Sequence, residues 1–220
     1  MYSAVIFDLD GVMLDTEPIS RAGWQLAVSK FGLELSDEVF LKMVGLGIGD
    51  IGNVFKEAFG DEFDYEQARK MRLEYMKEHI DKNGIGIKPG VFEVLDFLDE
   101  QKVPRAIATS TTRKFAERKL ALTKLGDRFD TIVYGDQIEN GKPSPDIFLA
   151  AAKQLNVPAE KCLVIEDSEN GIKAAHAAGM TVVMIPDLKQ PTEQLRQMVV
   201  DVFASLHEVI EFLRGRINNE

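Results

Sequence analysis

VIFDLDGVMLDTEP, residues 5–18, runs from an unbroken apolar stretch straight into Asp8, Asp10 and Asp15. Val5, Ile6 and Phe7 leave no face for water, the pattern of a buried parallel strand. Asp8 then stands at that strand's carboxyl end. Side chains in an extended chain repeat every two residues, so Asp8 and Asp10 project toward the same side. Two carboxylates that close repel one another unless a proton or a cation lies between them.

Beyond this strand the pattern turns helical. Residues 17–31 carry Ile19, Ala22, Leu26 and Ala27 in helical register, with Gly32 as a stop signal. Ser36 is placed to cap the next helix, with Asp37 and Glu38 in its first turn, where negative charge suits the dipole. GLGIGD at 45–50 reads as a glycine-rich turn, and helices are expected over 50–59 and 65–80. KNGIGIKPG, residues 82–90, breaks this regime and reads as a connector. Helix and strand then alternate, with strands expected at 103–108, 131–134, 162–165 and 181–185 and helices at 91–101, 112–124, 145–155, 171–178 and 206–213. Such alternation predicts a parallel sheet covered by helices on both faces. The expected architecture is an α/β core from residues 1–16 and 88–220, with an all-helical cap of residues 17–87 inserted after the first strand.

The 220 residues are 45% hydrophobic and 28% charged, ordinary for a globular protein. A net charge of −10 repels phosphate backbones, which argues against nucleic acid and anionic membrane as partners. An anionic substrate would need its charge met locally. Cys162 is the single cysteine, which excludes an internal disulfide and a zinc ribbon. Met1 runs directly into strand without a basic region and apolar stretch, so no signal peptide, no membrane span and a cytoplasmic location are expected. Monomer is the default.

Ligands of open α/β sheets bind beyond the carboxyl ends of the strands. Those ends carry Asp8 and Asp10, Thr109 and Ser110 in IATST, Lys142 in GKPSPD, and Glu166 and Asp167 in IEDSENG. A hard divalent cation explains the acids: Mg²⁺ prefers oxygen ligands and usually keeps several waters, so carboxylates from Asp8 and Asp167 and the carbonyl of Asp10 suffice. Glu166 is placed to reach the metal through water. The hydroxyls and the amine imply a phosphoryl group: Thr109 and Ser110 stand before a helix N-terminus, an anion site, and Lys142 supplies a point charge. Asp8 is the expected nucleophile, forming an acyl phosphate, and Asp10 the expected general acid to the leaving alkoxide and then base for water.

DLDGVMLDTEP, ATST, GKPSPDIF and IEDSENGIKAAHAAGM together resemble, in order and context, the four signature motifs of the haloacid dehalogenase superfamily, closest to its phosphatase and β-phosphoglucomutase-like branch. The resemblance implies a Rossmann-like core, a helical cap after the first motif, Mg²⁺ and an aspartyl-phosphate intermediate. It matches Asp8 to the nucleophile, Asp10 to the acid/base, Thr109 to the phosphate-binding hydroxyl, Lys142 to the charge-balancing lysine, and Glu166 with Asp167 to the metal-side acids.

Asp10 argues against dehalogenation, because true dehalogenases lack that second aspartate. The β-phosphoglucomutases carry a histidine in the hinge and a basic cap loop, where this chain has Ser20 and VGLGIG at 44–49. Hydrolysis of a small phosphorylated metabolite, a sugar phosphate foremost, is therefore expected over the mutase alternative. A signalling receiver module shares the acidic pocket but lacks a large helical insertion, and is the third reading. Duller readings fit other residues: Asp15 as a turn residue or hydrogen-bond acceptor, Trp24 as cap core, Cys162 as a buried strand residue. Hinge bending around residues 16–18 and 84–90 is expected to open and seal the cleft.

Overall fold

The computed structural model describes residues 1–217. The chain forms two compact units, Met1–Asp15 with Ile87–Glu220, and Thr16–Gly86. Residues 218–220, which the sequence reading assigns to the α/β core, lie outside the described residues.

In the first unit, β1 (Ala4–Phe7) has no exposed surface at any of its four residues, as an unbroken apolar run demands. The short β2 (Leu14–Asp15) follows the aspartate turn. The second unit is all helical: α1 (Glu17–Ser29), α2 (Asp37–Met43), α3 (Ile48–Phe59) and α4 (Tyr65–Asn83). Ser36 Oγ accepts a hydrogen bond from Val39 N at 3.2 Å and Asp64 Oδ1 from Gln67 N at 2.9 Å, so α2 and α4 each start on a side-chain cap. Trp24, Val28, Phe40, Phe55 and Ala68 are buried in one cluster, with the Trp24 and Phe55 ring centroids 4.7 Å apart. The glycine-rich stretch is shorter as a turn than its composition suggests, because α3 already begins at Ile48. Gly52 has a packing reason instead: a Cβ there would lie 3.3 Å from the Tyr65 ring.

The short β3 (Gly86–Ile87), inside the stretch read as a connector, pairs with β2. Two residues carry no periodicity, so the sequence gives no sign of this pairing. The alternation follows: α5 (Val91–Glu100), β4 (Arg105–Thr109), α6 (Arg113–Thr123), β5 (Thr131–Tyr134), α7 (Asp146–Leu155), β6 (Cys162–Glu166), α8 (Glu169–Ala177), β7 (Thr181–Met184), α9 (Glu193–Arg196), β8 (Asp201–Val202) and α10 (Leu206–Leu213). The main sheet has the order β5-β4-β1-β6-β7-β8, with every neighbouring pair parallel. The short α9 and β8 are additions to the expected list. Ile6, Ala106, Ala108, Phe148, Val164, Ile172 and Val182 are fully or almost fully buried in one cluster, placing helix side chains against the sheet. Among the described residues no helix is long and apolar enough to cross a membrane.

The strand order decides where ligands bind. From β1 the chain builds outward through β4 and β5, then returns to the other side of β1 with β6. The carboxyl ends of β1, β4 and β6 therefore flank the reversal point, where crossovers diverge and leave a crevice.

Candidate active site

Phe7 of β1 is in register with Ile107 of β4 and Ile165 of β6, so the next residue on each strand emerges at the same rim. Those residues are Asp8, Ala108 and Glu166. Lys142, from the loop before α7, joins all three. Its Nζ donates to Asp8 Oδ1 at 2.5 Å, to Glu166 Oε1 at 2.6 Å and to the Ala108 carbonyl at 3.0 Å. An ammonium has three donors, so all are engaged. A direct bond from Lys142 to an incoming anion therefore requires one of these to be exchanged. Its side chain is 5% exposed, and the two carboxylates hold it charged, raising its pKa above the ordinary lysine value despite burial.

Glu166 has no exposed surface. Its Oε2 accepts from Asp167 N, Ser168 N and Ser168 Oγ, each at 3.0 Å, while Oε1 faces Lys142. Ser168 Oγ in turn accepts from Gly171 N at 3.0 Å, capping α8. Gly171 must lack a side chain, since a Cβ would fall 1.8 Å from Glu166 Oε1. Glu166 is thus spent on orienting Lys142 and the start of α8.

Asp8 is 7% exposed, and burial pushes its carboxyl up to about 7. The Lys142 ammonium opposes that rise, while Glu166 and Asp10 add to it. Asp10 lies in the turn after β1. Its Oδ1 accepts from Lys119 Nζ at 2.5 Å and its Oδ2 from Thr111 Oγ1 at 2.6 Å. Gly11, at φ +90°, completes the turn, and a Cβ there would lie 2.3 Å from Asp167 Oδ2. Asp167 thereby comes against the aspartate turn only because Gly11 is bare.

Thr109 ends β4 and is 1% exposed; its Oγ1 accepts from Thr111 N at 3.1 Å. Ser110 is exposed, and its carbonyl oxygen sits so close to Gly135 that a Cβ there would be 2.2 Å away. Both precede α6. Asp15 pairs with Lys88 at 3.2 Å, and Lys88 also pairs with Asp187 at 2.6 Å. In the other unit Trp24 is 3% exposed, and Ser20 accepts from Arg72 Nη2 at 2.8 Å.

Two members of this rim escape the motif reading: Lys119 and Thr111. Thr111 is hidden among four consecutive hydroxyl residues. Lys119 did carry a signal, since α6 buries Ala116, Lys119, Leu120 and Thr123, an i, i+3, i+4, i+7 stripe in which an ammonium needs a partner.

The donor set fits a magnesium ion. Four carboxyl groups, Asp8, Asp10, Glu166 and Asp167, gather with two ammonium groups, Lys119 and Lys142, a formal deficit of two positive charges. Among the described residues no three His, Cys, Asp or Glu side chains close on one point. Mg²⁺ asks for no such cage, because it usually takes one or two carboxylates and retains water.

Most of the chain is similar to known proteins. The family model described as haloacid dehalogenase-like hydrolase matches residues 5–185. A phosphorylated carbohydrates phosphatase of Thermotoga maritima is 34% identical over 177 residues, covering 80% of this chain and 82% of that protein. A Drosophila melanogaster protein named as a probable pseudouridine-5'-phosphatase is 35% identical over 208 residues, 91% of this chain and 88% of its own length. Among solved structures, a β-phosphoglucomutase from Clostridium difficile superposes with a TM-score of 0.79 at 26% identity, over 98% of this chain and 97% of that one.

Proposed function

Because the chain belongs to the haloacid dehalogenase-like hydrolase family and is a phosphoric monoester hydrolase, we propose that it is a Mg²⁺-dependent phosphatase of small phosphorylated metabolites, sugar phosphates foremost, working through an aspartyl phosphate on Asp8. The observation that carries this reading is Asp8 itself, buried at the end of the central strand with one oxygen on Lys142 and Asp10 two residues on.

In the first step a lone pair of Asp8 forms a bond to phosphorus while the ester P–O bond breaks. Its electron pair leaves on the alkoxide oxygen, which takes a proton from Asp10. Asp10, now a carboxylate, then takes a proton from water as the water oxygen bonds to phosphorus, and the P–O bond to Asp8 breaks. Inorganic phosphate departs, with Asp8 ionised and Asp10 protonated again. Thr109, Ser110 and the start of α6 hold the phosphoryl oxygens, and Lys142 offsets the charge gathered around Asp8. Asp8, Asp167 and the Asp10 carbonyl would hold the metal, with Glu166 behind them. When bound, the ion supplies positive charge against the phosphoryl oxygens and against Asp8, whose carboxyl burial alone pushes toward the neutral form.

Two relatives support a phosphate borne on a sugar hydroxyl: one is named a phosphorylated carbohydrates phosphatase, the other a probable pseudouridine-5'-phosphatase. In this reading residues 16–86 form the cap that selects the substrate. One observation keeps the mutase alternative in view: Arg72 brings a cation to Ser20, although the sequence around Ser20 and the glycine loop carries no hinge imidazole or basic pair. A screen of phosphorylated metabolites with Mg²⁺ separates the two. Release of inorganic phosphate is expected; one hexose phosphate converted to its isomer without release would make the chain a mutase.

A further inference from the structure

Lys119 is the one ammonium in the buried stripe of α6, with a side chain only 9% exposed. A leucine or methionine would fill the same volume without desolvating a charge, so packing does not account for it. Its Nζ reaches one oxygen of Asp10 at 2.5 Å, and the hydroxyl of Thr111 reaches the other at 2.6 Å. The carboxyl group is gripped at both ends, while 24% of its side chain stays exposed.

We propose that Lys119 and Thr111 are positioning residues for Asp10, fixing the plane of its carboxyl group before the ester arrives, so that its proton is aimed at the departing oxygen. The proposal rests on Asp10 being the general acid. Lys119 approaches from the interior of α6 and Thr111 from the loop between β4 and α6, so two separate anchors define the plane. Thr111 Oγ1 donates to a lone pair of Asp10 Oδ2, so a proton carried on that oxygen stays turned away from Thr111 and toward the ester. A carboxyl left to rotate must be ordered in the transition state, and that loss appears as a slower step rather than weaker binding.

The distinguishing measurement is the dependence on leaving group. Donation by Asp10 matters when the P–O bond breaks toward a basic alkoxide and little when it breaks toward nitrophenolate, which leaves without a proton. The value of kcat/KM reports only the steps up to alcohol departure, so the later role of Asp10 toward water does not enter. Lys119→Met, assayed with Mg²⁺, is expected to lower kcat/KM for glycerol phosphate by about 10²-fold and for 4-nitrophenyl phosphate by less than about threefold. Lys119→Arg should restore part of the loss, and Thr111→Val should give the same selectivity at about tenfold. Should Lys119→Met not fold, Thr111→Val and Lys119→Arg decide. Equal losses for both esters, or no loss for either, overturn the proposal. Asp10→Asn separates the two levels: if it is selective for glycerol phosphate and the Lys119 and Thr111 variants are not, only the positioning role fails. If Asp10→Asn slows both esters alike, the general-acid reading fails and takes the positioning role with it.

Discussion

Glu166 accepts four hydrogen bonds with no exposed surface, and that crowding makes its neighbours intolerant of change. Gly171→Ala puts a methyl group into its carboxylate, so either α8 shifts or the Lys142 contact breaks. Urea unfolding should show a loss of about 3 kcal/mol or more, the scale of a disrupted buried ion pair. Asp8→Asn keeps the shape but removes the oxygen that attacks phosphorus. Phosphate release should fall on the order of 10³-fold or more, in a protein whose unfolding transition is intact. The positions of Asp8, Thr109 and Asp167 are legible because each follows an apolar run that marks a strand, and that of Lys142 because it sits in a Gly-Lys-Pro turn before a helix. Lys119 was legible only as an ammonium in the apolar stripe of α6, because its partner lies 109 residues away.

At the scale of elements, β1 and β6 declare themselves through apolar runs with no polar alternation, and both are wholly buried. What escaped is what is too short to have a period: β3 and β8 are two residues each, and α9 is four. Cys162 opens β6, and burial pushes its thiol up to about 11 from an ordinary 9.0. The folded state then keeps a proton that the unfolded chain gives up. Stability from this group is complete below about pH 9 and drains away as the pH rises toward about 11. Denaturant titrations across that window should show a decline that is shallower in Cys162→Ala. Tyr65 and Tyr134 are raised by burial too and contribute the same sign in both proteins, so the difference isolates the thiol.

For the molecule as a whole, the charge deficit at the rim would make the proposed Mg²⁺ a folding ligand as well as a cofactor. Mg²⁺ at a hundred times its dissociation constant should add about 2.7 kcal/mol to the unfolding free energy, read as a rise in melting temperature. Asp167→Asn should erase most of that rise without abolishing folding. The division into an α/β part and a helical part was visible in the sequence as a change of hydrophobic period, whereas the cation contributed by Arg72 was not, because nothing local ties it to Ser20. The strand order also carries a consequence for synthesis. Residues 16–86 have all their own core partners once residue 86 has left the ribosome, but β1, made first, pairs with residues 105–107 and 162–165. The segment bearing Asp8 must therefore wait unpaired until β4 emerges, about halfway through translation, and a nascent chain stalled before that point would expose this apolar strand to chaperones rather than to a sheet.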